Sequence, residues 1–271
     1  MSKPGYIHTF SKKEQDRLLN QGQFLEPYIH RQIDFTNCRH VLEIGCGVGA
    51  QISILARKFP NLIIDGIDLV SSQISRAEST LGDLIANQRV NLKIASAYEL
   101  PFPDNGYDGA CVFSVLEHVD DPLAVLNEAH RVLKFGGVLY CTEVFNSGLY
   151  IYPNCPAINE YWTAFNQCQI DMGGDPDIGM KLVNLASAAG FKQIDFRDVS
   201  PILDQRIVSK PQRADFLNFW KSLFLSASGG LISEGRITSA VVSELHEEFN
   251  ALIENKDTVF LYSGKQIECY K

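Results

Sequence analysis

The chain has 271 residues, 45% of them hydrophobic and 21% charged, with a formal net charge of −8. That length and balance suit one large α/β domain with an embedded accessory region, and leave little room for two independent domains. The acidic balance argues against a nucleic-acid partner, which needs clustered positive charge. No apolar stretch is long enough to cross a membrane, and the N-terminal MSKPGYIHTFSKKEQ lacks the apolar core of a signal peptide, so no membrane partner is expected. Seven widely spaced cysteines without a CxxC read as reduced thiols of a cytoplasmic protein. The six histidines do not fall at zinc spacing, so no metal is expected.

In chain order, Ser11-Lys12-Lys13-Glu14 fits a capping box that starts a helix running to about His30. Val41–Ile44 reads as a buried strand, followed by glycines and an amphipathic helix through Ile52, Leu55 and Ala56. A strand over 62–67, a helix over 71–86 and a strand over 91–95 come next. Pro101–Gly106 has turn composition, and Tyr107–Phe113 is strand-like. Asp121-Pro122 opens a helix to Leu133 that Gly136-Gly137 ends, and Val138–Thr142 is a further strand. The alternation implies right-handed βαβ units and a parallel sheet covered on both faces.

Beyond Glu143 the pattern changes. Residues 145–176 read as a loop rich in Asn, Gly, Pro and aromatics. Residues 177–189 look helical, 191–199 extended, and 211–227 and 233–255 read as two helices. Thr258–Tyr262 and Gln266–Tyr270 form a last strand region bent at Ser263-Gly264. The organisation expected is one domain over 1–271. An N-terminal helical lid (1–30), the 145–176 loop and a helical insertion (200–257) would form a cap over the site.

The strongest signal is Glu43-Ile44-Gly45-Cys46-Gly47-Val48-Gly49 between strand and helix. A glycine turn there lets a ligand approach the backbone, and the helix start beyond it favours a negative group. Asp68 falls 19 residues past Gly49, at the end of the next strand, where a carboxylate can accept from both ribose hydroxyls. These two features fit either nucleotide class.

A third stretch, LPFPDNGYDGACVFSVLEHVDDPLAVLNEAHRVLKFGG, joins VLEIGCGVGAQ, GIDLV and LASAAGF in order over residues 41–192. In this combination the chain resembles the class I S-adenosylmethionine-dependent methyltransferases, in the methyltransferase-11-like group. HTFSKKEQDRLLNQ and GGDPDIG are similar to a small-molecule subgroup. The resemblance implies a Rossmann-like, seven-stranded, mostly parallel sheet with an antiparallel last strand and a helical cap. It also implies residue roles: Gly45, Cys46 and Gly47 hold the amino-acid part of S-adenosylmethionine, Asp68 the ribose, and Leu69 packs on the adenine. Ala97 and Tyr98 flank the adenine edge and Ser114 faces the methionine chain. Ser96 stands where relatives often carry an acid, which weakens a contact to the adenine amine. Gln21 is expected to close over the cofactor carboxylate.

The sulfonium methyl is electrophilic without further activation, so the protein's task is to align a nucleophile and exclude water. His118 is the candidate base and Glu143, on the same rim, a second candidate for accepting a proton or binding a cation. The aromatics Tyr150, Tyr152, Tyr161, Trp162 and Phe165 suit a pocket for a ring or cation, or the packing of the cap on itself. The function read from these features is methyl transfer to an O, N, S or C atom of a small-molecule acceptor. A protein or RNA methyltransferase, and a non-methylating protein that keeps the cofactor fold, remain alternatives. The oligomeric state stays open, a homodimer included.

Overall fold

The computed structural model describes residues 7–8, 10–207 and 209–271; the rest of the expected 1–30 lid lies outside them. Ser11 caps α1 (Lys12–Ile29), its hydroxyl accepting from the Glu14 amide at 3.3 Å. Half of the capping box is therefore formed, while the Glu14 carboxylate turns to Arg17 instead (2.6 Å). Then follow β1 (His40–Ile44), α2 (Ala50–Lys58), β2 (Ile63–Asp68), α3 (Ser71–Thr80), α4 (Gly82–Ala86) and β3 (Val90–Ile94). The single helix read over 71–86 is broken at Leu81, which is 2% exposed and packs against Gly49.

β4 (Tyr107–Phe113) leads through a 3-10 turn (Leu116–His118) to α5 (Pro122–Val132) and β5 (Leu133–Val144). Asp121 caps α5 through the Ala124 amide (3.0 Å) and Pro122 opens its first turn. Gly136-Gly137 do not end the helix: β5 already begins at Leu133, and a register shift against β4 absorbs the glycines.

The largest departure lies in 145–176. After β6 (Tyr150–Tyr152), α6 spans Pro156–Asp171, with Pro156 at its start. Ile158, Tyr161, Trp162, Phe165 and Cys168 share its buried face at helical spacing. Turn-forming residues up to Pro156 had concealed that period. The chain continues as a 3-10 turn (Ile178–Lys181), α7 (Leu182–Ala188), β7 (Lys192–Asp198), β8 (Ile202–Leu203), α8 (Lys210–Leu225), α9 (Ser228–Ser233), α10 (Ser239–Glu254), β9 (Val259–Leu261) and β10 (Gly264–Tyr270). The insertion thus carries three helices rather than two.

The main sheet has the order β3-β2-β1-β4-β5-β10-β7. β1 to β5 run parallel, and β10 is antiparallel to both β5 and β7. The bend at Ser263-Gly264 separates two sheets: β9 pairs with β6 and β8 in a small sheet under the cap, while β10 enters the main one. Apolar side chains cover each face of the main sheet, centred on Leu42, Val112 and Leu139 on one side and Val41, Leu55 and Cys111 on the other. The cap has its own core, built on Trp162, Trp220, Phe224, Phe249 and Phe260.

Candidate active site

The glycine turn follows β1 at the carboxyl edge of the parallel strands, where α/β sheets bind ligands. All three glycines have positive φ: Gly45 +78°, Gly47 +50°, Gly49 +79°. Their surroundings differ. A β-carbon on Gly45 would lie 2.4 Å from Val115 Cγ2, and one on Gly49 2.6 Å from Leu81 Cδ1. At Gly47 nothing lies within 4 Å. Gly45 and Gly49 therefore serve packing within the protein, and Gly47 is the position that opens on the cleft. The amides of this turn are engaged internally. Gly45 and Cys46 N–H donate to the Ile67 carbonyl (2.9 and 2.7 Å), and Gly47 N–H donates to Asp68 Oδ2 (2.9 Å).

Asp68 ends β2, and its second oxygen accepts from the Val70 amide at 2.8 Å. Burial pushes its carboxyl above the usual range, opposed by these two amides. Glu43, in β1, is 1% exposed. Burial and the neighbouring Asp68 push its carboxyl well up, and Glu43 Oε2 is a buried acceptor that no described group reaches. A ligand carrying hydroxyl and amine donors fits this chemistry: an open glycine, a carboxylate with remaining lone pairs, and a buried acceptor awaiting a donor. Those are the donors of a ribose and of an amino acid. Glu43 lay in the motif, but sequence reading gave it no role. The signal was its place in a fully buried strand, where an acid needs a partner.

Along the rim, Leu69 is 53% exposed although apolar, as a surface for a ring would be. Ser96 Oγ accepts from Tyr98 N–H (3.2 Å), and the Tyr98 hydroxyl bonds the Asp120 carboxylate while accepting from the Asp120 amide (3.2 Å). Ala97, half-buried between Ser96 and Tyr98, packs against the sheet core. Ser114, after β4, has φ +53°, a region non-glycine residues rarely adopt, and its amide donates to Thr142 O at 2.9 Å.

At the end of β5, Glu143 is 1% exposed and its oxygens accept from the amides of Val115 (2.9 Å), Leu116 (2.7 Å) and Glu117 (3.3 Å). Burial and the charge of Glu117 push its carboxyl well above the usual range, the amides opposing. The residue grips the loop that carries His118. His118 Nε2 lies 3.7 Å from Glu117 Oε1, and Glu117 Oε2 accepts from Gln169 of α6 at 2.8 Å. Gln21 Oε1 accepts from Arg17 Nη1 (2.5 Å), and Arg17 is clamped on Glu14 through Nε (2.8 Å) and Nη2 (2.6 Å). Arg17, Glu117 and Gln169 escaped the sequence reading. For Arg17 the available signal was the spacing 14-17-21, which puts acid, cation and amide on one helix face. Among the described residues no group of three or more His, Cys, Asp or Glu could hold a metal ion.

A family model described as a methyltransferase domain matches residues 42–141. The chain is 29% identical to O-methyltransferase resE of Aspergillus sclerotiorum, over 59% of this chain and 58% of that one, so the match spans less than two thirds of that relative. It is 28% identical to O-methyltransferase cnsE of Penicillium expansum, over 72% of this chain and 68% of that one. Among solved structures it is similar to phosphoethanolamine N-methyltransferase 2 of Haemonchus contortus, in complex with phosphomonomethylethanolamine and S-adenosylhomocysteine. There the TM-score is 0.59 at 15% identity, over 97% of this chain and 57% of that one, a likeness of fold. Residues 42–141 thus carry a methyltransferase domain, set on the seven-stranded sheet with its glycine turn facing Asp68, and the chain is similar in fold to S-adenosylmethionine-dependent methyltransferases.

Proposed function

We propose that the protein transfers a methyl group from S-adenosylmethionine to an O, N, S or C atom of a small-molecule acceptor held between the glycine-turn rim and the cap. The observation that carries this is the cap itself. An aromatic cluster built on α6, α8 and α10, with Trp162 stacked on Phe224 at 4.4 Å, is tied to the loop that bears His118 by Gln169 of α6, which donates to Glu117 at 2.8 Å. A cap tied to the rim in this way suits a small molecule, whereas a macromolecule needs an open face.

When bound, the cofactor supplies the electrophilic methyl group. The chain's own work is alignment and exclusion of water, which contributes several kcal/mol, up to about 7–11 in favourable intramolecular cases. Gly45, Cys46 and Gly47 shape the cradle, and Asp68 accepts from the ribose hydroxyls. Leu69, Ala97 and Tyr98 border the adenine, and Ser96 and Ser114 complete the lining. Glu143 acts as a positioning residue, because its oxygens hold the 115–117 backbone. His118 takes the proton of a hydroxyl acceptor, and an amine with a free lone pair needs no such base. The reading has the protein working in the cytoplasm as a monomer or homodimer without nucleic acid, in keeping with the net charge of −8. No helix among the described residues is long and apolar enough to cross a membrane.

Calorimetric titration with S-adenosylmethionine, S-adenosylhomocysteine and NAD tests the cofactor half. The two sulfur nucleotides should bind and NAD should not. Asp68→Ala should weaken both by at least ~10-fold, roughly 1.4 kcal/mol; unchanged affinity in the folded variant removes Asp68 from the ribose. Transfer of labelled methyl to a panel of phenols and amines, rather than to protein or RNA, tests the acceptor half.

A further inference from the structure

α6 meets the rim through one stripe of side chains. Trp162, Phe165, Asn166 and Gln169 recur at helical spacing. Trp162 Nε1 donates to Asn146 O at 3.0 Å, and Asn146 Nδ2 donates to Asn166 Oδ1 at 2.9 Å. Gln169 Nε2 donates to Glu117 O and Oε2 at 3.2 and 2.8 Å. The helix is thereby sewn to the loops that follow β4 and β5, at the carboxyl edge of the parallel strands.

The polar atoms left over along this seam offer lone pairs. Gln169 is fully buried. Its amide nitrogen is spent on Glu117, and its Oε1, on the same carbon, has no donor among the described residues. An acceptor buried in this way is costly unless a donor reaches it. Glu117 is 9% exposed. Its Oε2 takes the Gln169 bond, while Oε1 lies 3.7 Å from His118 Nε2, outside hydrogen-bond distance. The Tyr262 hydroxyl, in electrostatic reach of Glu117 and Glu143, donates to Asn146 Oδ1 at 3.2 Å, so what it still offers is a lone pair. Aromatic faces stand beside these atoms: Trp162 and Phe165 stack at 4.9 Å, and Tyr262 meets Trp162 edge-on at 5.9 Å. The strut α1 bridges sheet and cap, docked on α3 by Gln15 and on α8 by Phe24 stacked on Phe219 at 3.8 Å. It brings the Arg17 cation into reach of Tyr262, but that charge is already answered by Glu14 at 2.6 Å.

We propose that the acceptor is anchored at this seam by a protonated amine, with Glu117 as counter-charge and Gln169 Oε1 and the Tyr262 hydroxyl accepting from its N–H groups. An ammonium carries three donors and no acceptor, which matches groups that offer lone pairs, and ring faces attract a cation. Protonated, the nitrogen has no lone pair to attack a methyl group, so this contact anchors the acceptor. The inference rests on the small-molecule methyl-transfer reading above and names the class of group by which its acceptor is held.

The test uses the full chain saturated with S-adenosylhomocysteine, near neutral pH, and two matched pairs of probes: benzylamine against benzyl alcohol, and tyramine against its alcohol analogue tyrosol. In calorimetric titration each amine should bind at least ~10-fold more tightly than its alcohol, as a charged hydrogen bond confers. Glu117→Gln keeps the shape and removes the charge. It should abolish the amine preference and leave affinity for S-adenosylhomocysteine unchanged. Should that variant fail to fold, Gln169→Met, which deletes the buried acceptor at similar length, should weaken the amines about 3- to 10-fold and spare the alcohols. Equal binding of amine and alcohol by the wild-type chain, binding of neither, or an amine preference untouched by the variants overturns the assignment while leaving the methyltransferase reading intact. Failure of the wild-type chain to bind S-adenosylhomocysteine overturns both.

Discussion

The cofactor rim and the cap are built on different principles. On the rim, single atoms decide: a β-carbon added to Gly45 would meet Val115 at 2.4 Å, and one carboxylate, Asp68, holds two backbone amides. In the cap, area decides. Trp220, Phe224, Phe249 and Phe260 are all fully buried and touch one another edge-on or stacked, with no charged group among them. A rim of this kind is written in a short run of residues because each one acts on its neighbours in the chain. A cap of this kind can be rebuilt from other large side chains while its volume is kept. Under the proposed function, the difference separates what would bind a common cofactor from what could be reshaped for an acceptor.

The sharpest way to break this comparison is to empty the cap. Trp220→Ala removes a fully buried indole and should cost about 3–5 kcal/mol in denaturant unfolding. If a folded fraction remains, it should still bind S-adenosylhomocysteine. Loss of cofactor affinity in step with stability would mean that cap and rim form one cooperative unit.

The next test lies within one motif. Gly45→Ala meets both a left-handed backbone and a clash, each worth about 1–3 kcal/mol, so its unfolding midpoint should drop sharply. Gly47→Ala meets only the backbone penalty, because its side of the turn is open. It should stay folded and lose cofactor affinity instead. The same stability loss in both would refute the division between a packing glycine and a ligand-facing one.

Acid tests the strut between the two regions. His30, which caps α1, is 2% exposed and burial pushes its pKa down to about 4, with Gln51 Oε1 accepting from its Nε2 at 2.5 Å. The folded value lies below the free value near 6.5, so the unfolded chain takes up the proton first. Stability from this group is present above pH 6.5 and is lost as pH falls from there to about 4, by about 3 kcal/mol. His8, at the other end of the strut against Ser226, is lowered well below its ordinary value by burial and adds in the same direction. His30→Gln should flatten the dependence of unfolding free energy on pH in that window. An unchanged slope would remove His30 from the acid response.

The parallel strands, the turn and Asp68 were legible in the sequence because a buried strand, a glycine turn and a strand-end acid leave marks within a few residues. The helix Pro156–Asp171 was not, although its buried residues repeat at helical spacing. Its neighbours Asn146, Gly148, Pro153 and Asn154 have turn composition, and a short window weights them equally. The same holds at Gly136-Gly137, where glycine preference suggested a helix stop and strand pairing with β4 prevailed.

The sequence alone determined the fold class, the alternation of the central strands and helices and the place of the glycine turn between them, because hydrophobic period and turn chemistry are local properties. Tertiary structure decided which way each glycine faces, that Glu143 grips a loop with both oxygens, and that Gln169 of α6 reaches Glu117 of that loop. These depend on what lies across the cleft. Residues tens of positions apart in the chain meet there, and only packing sets their distance.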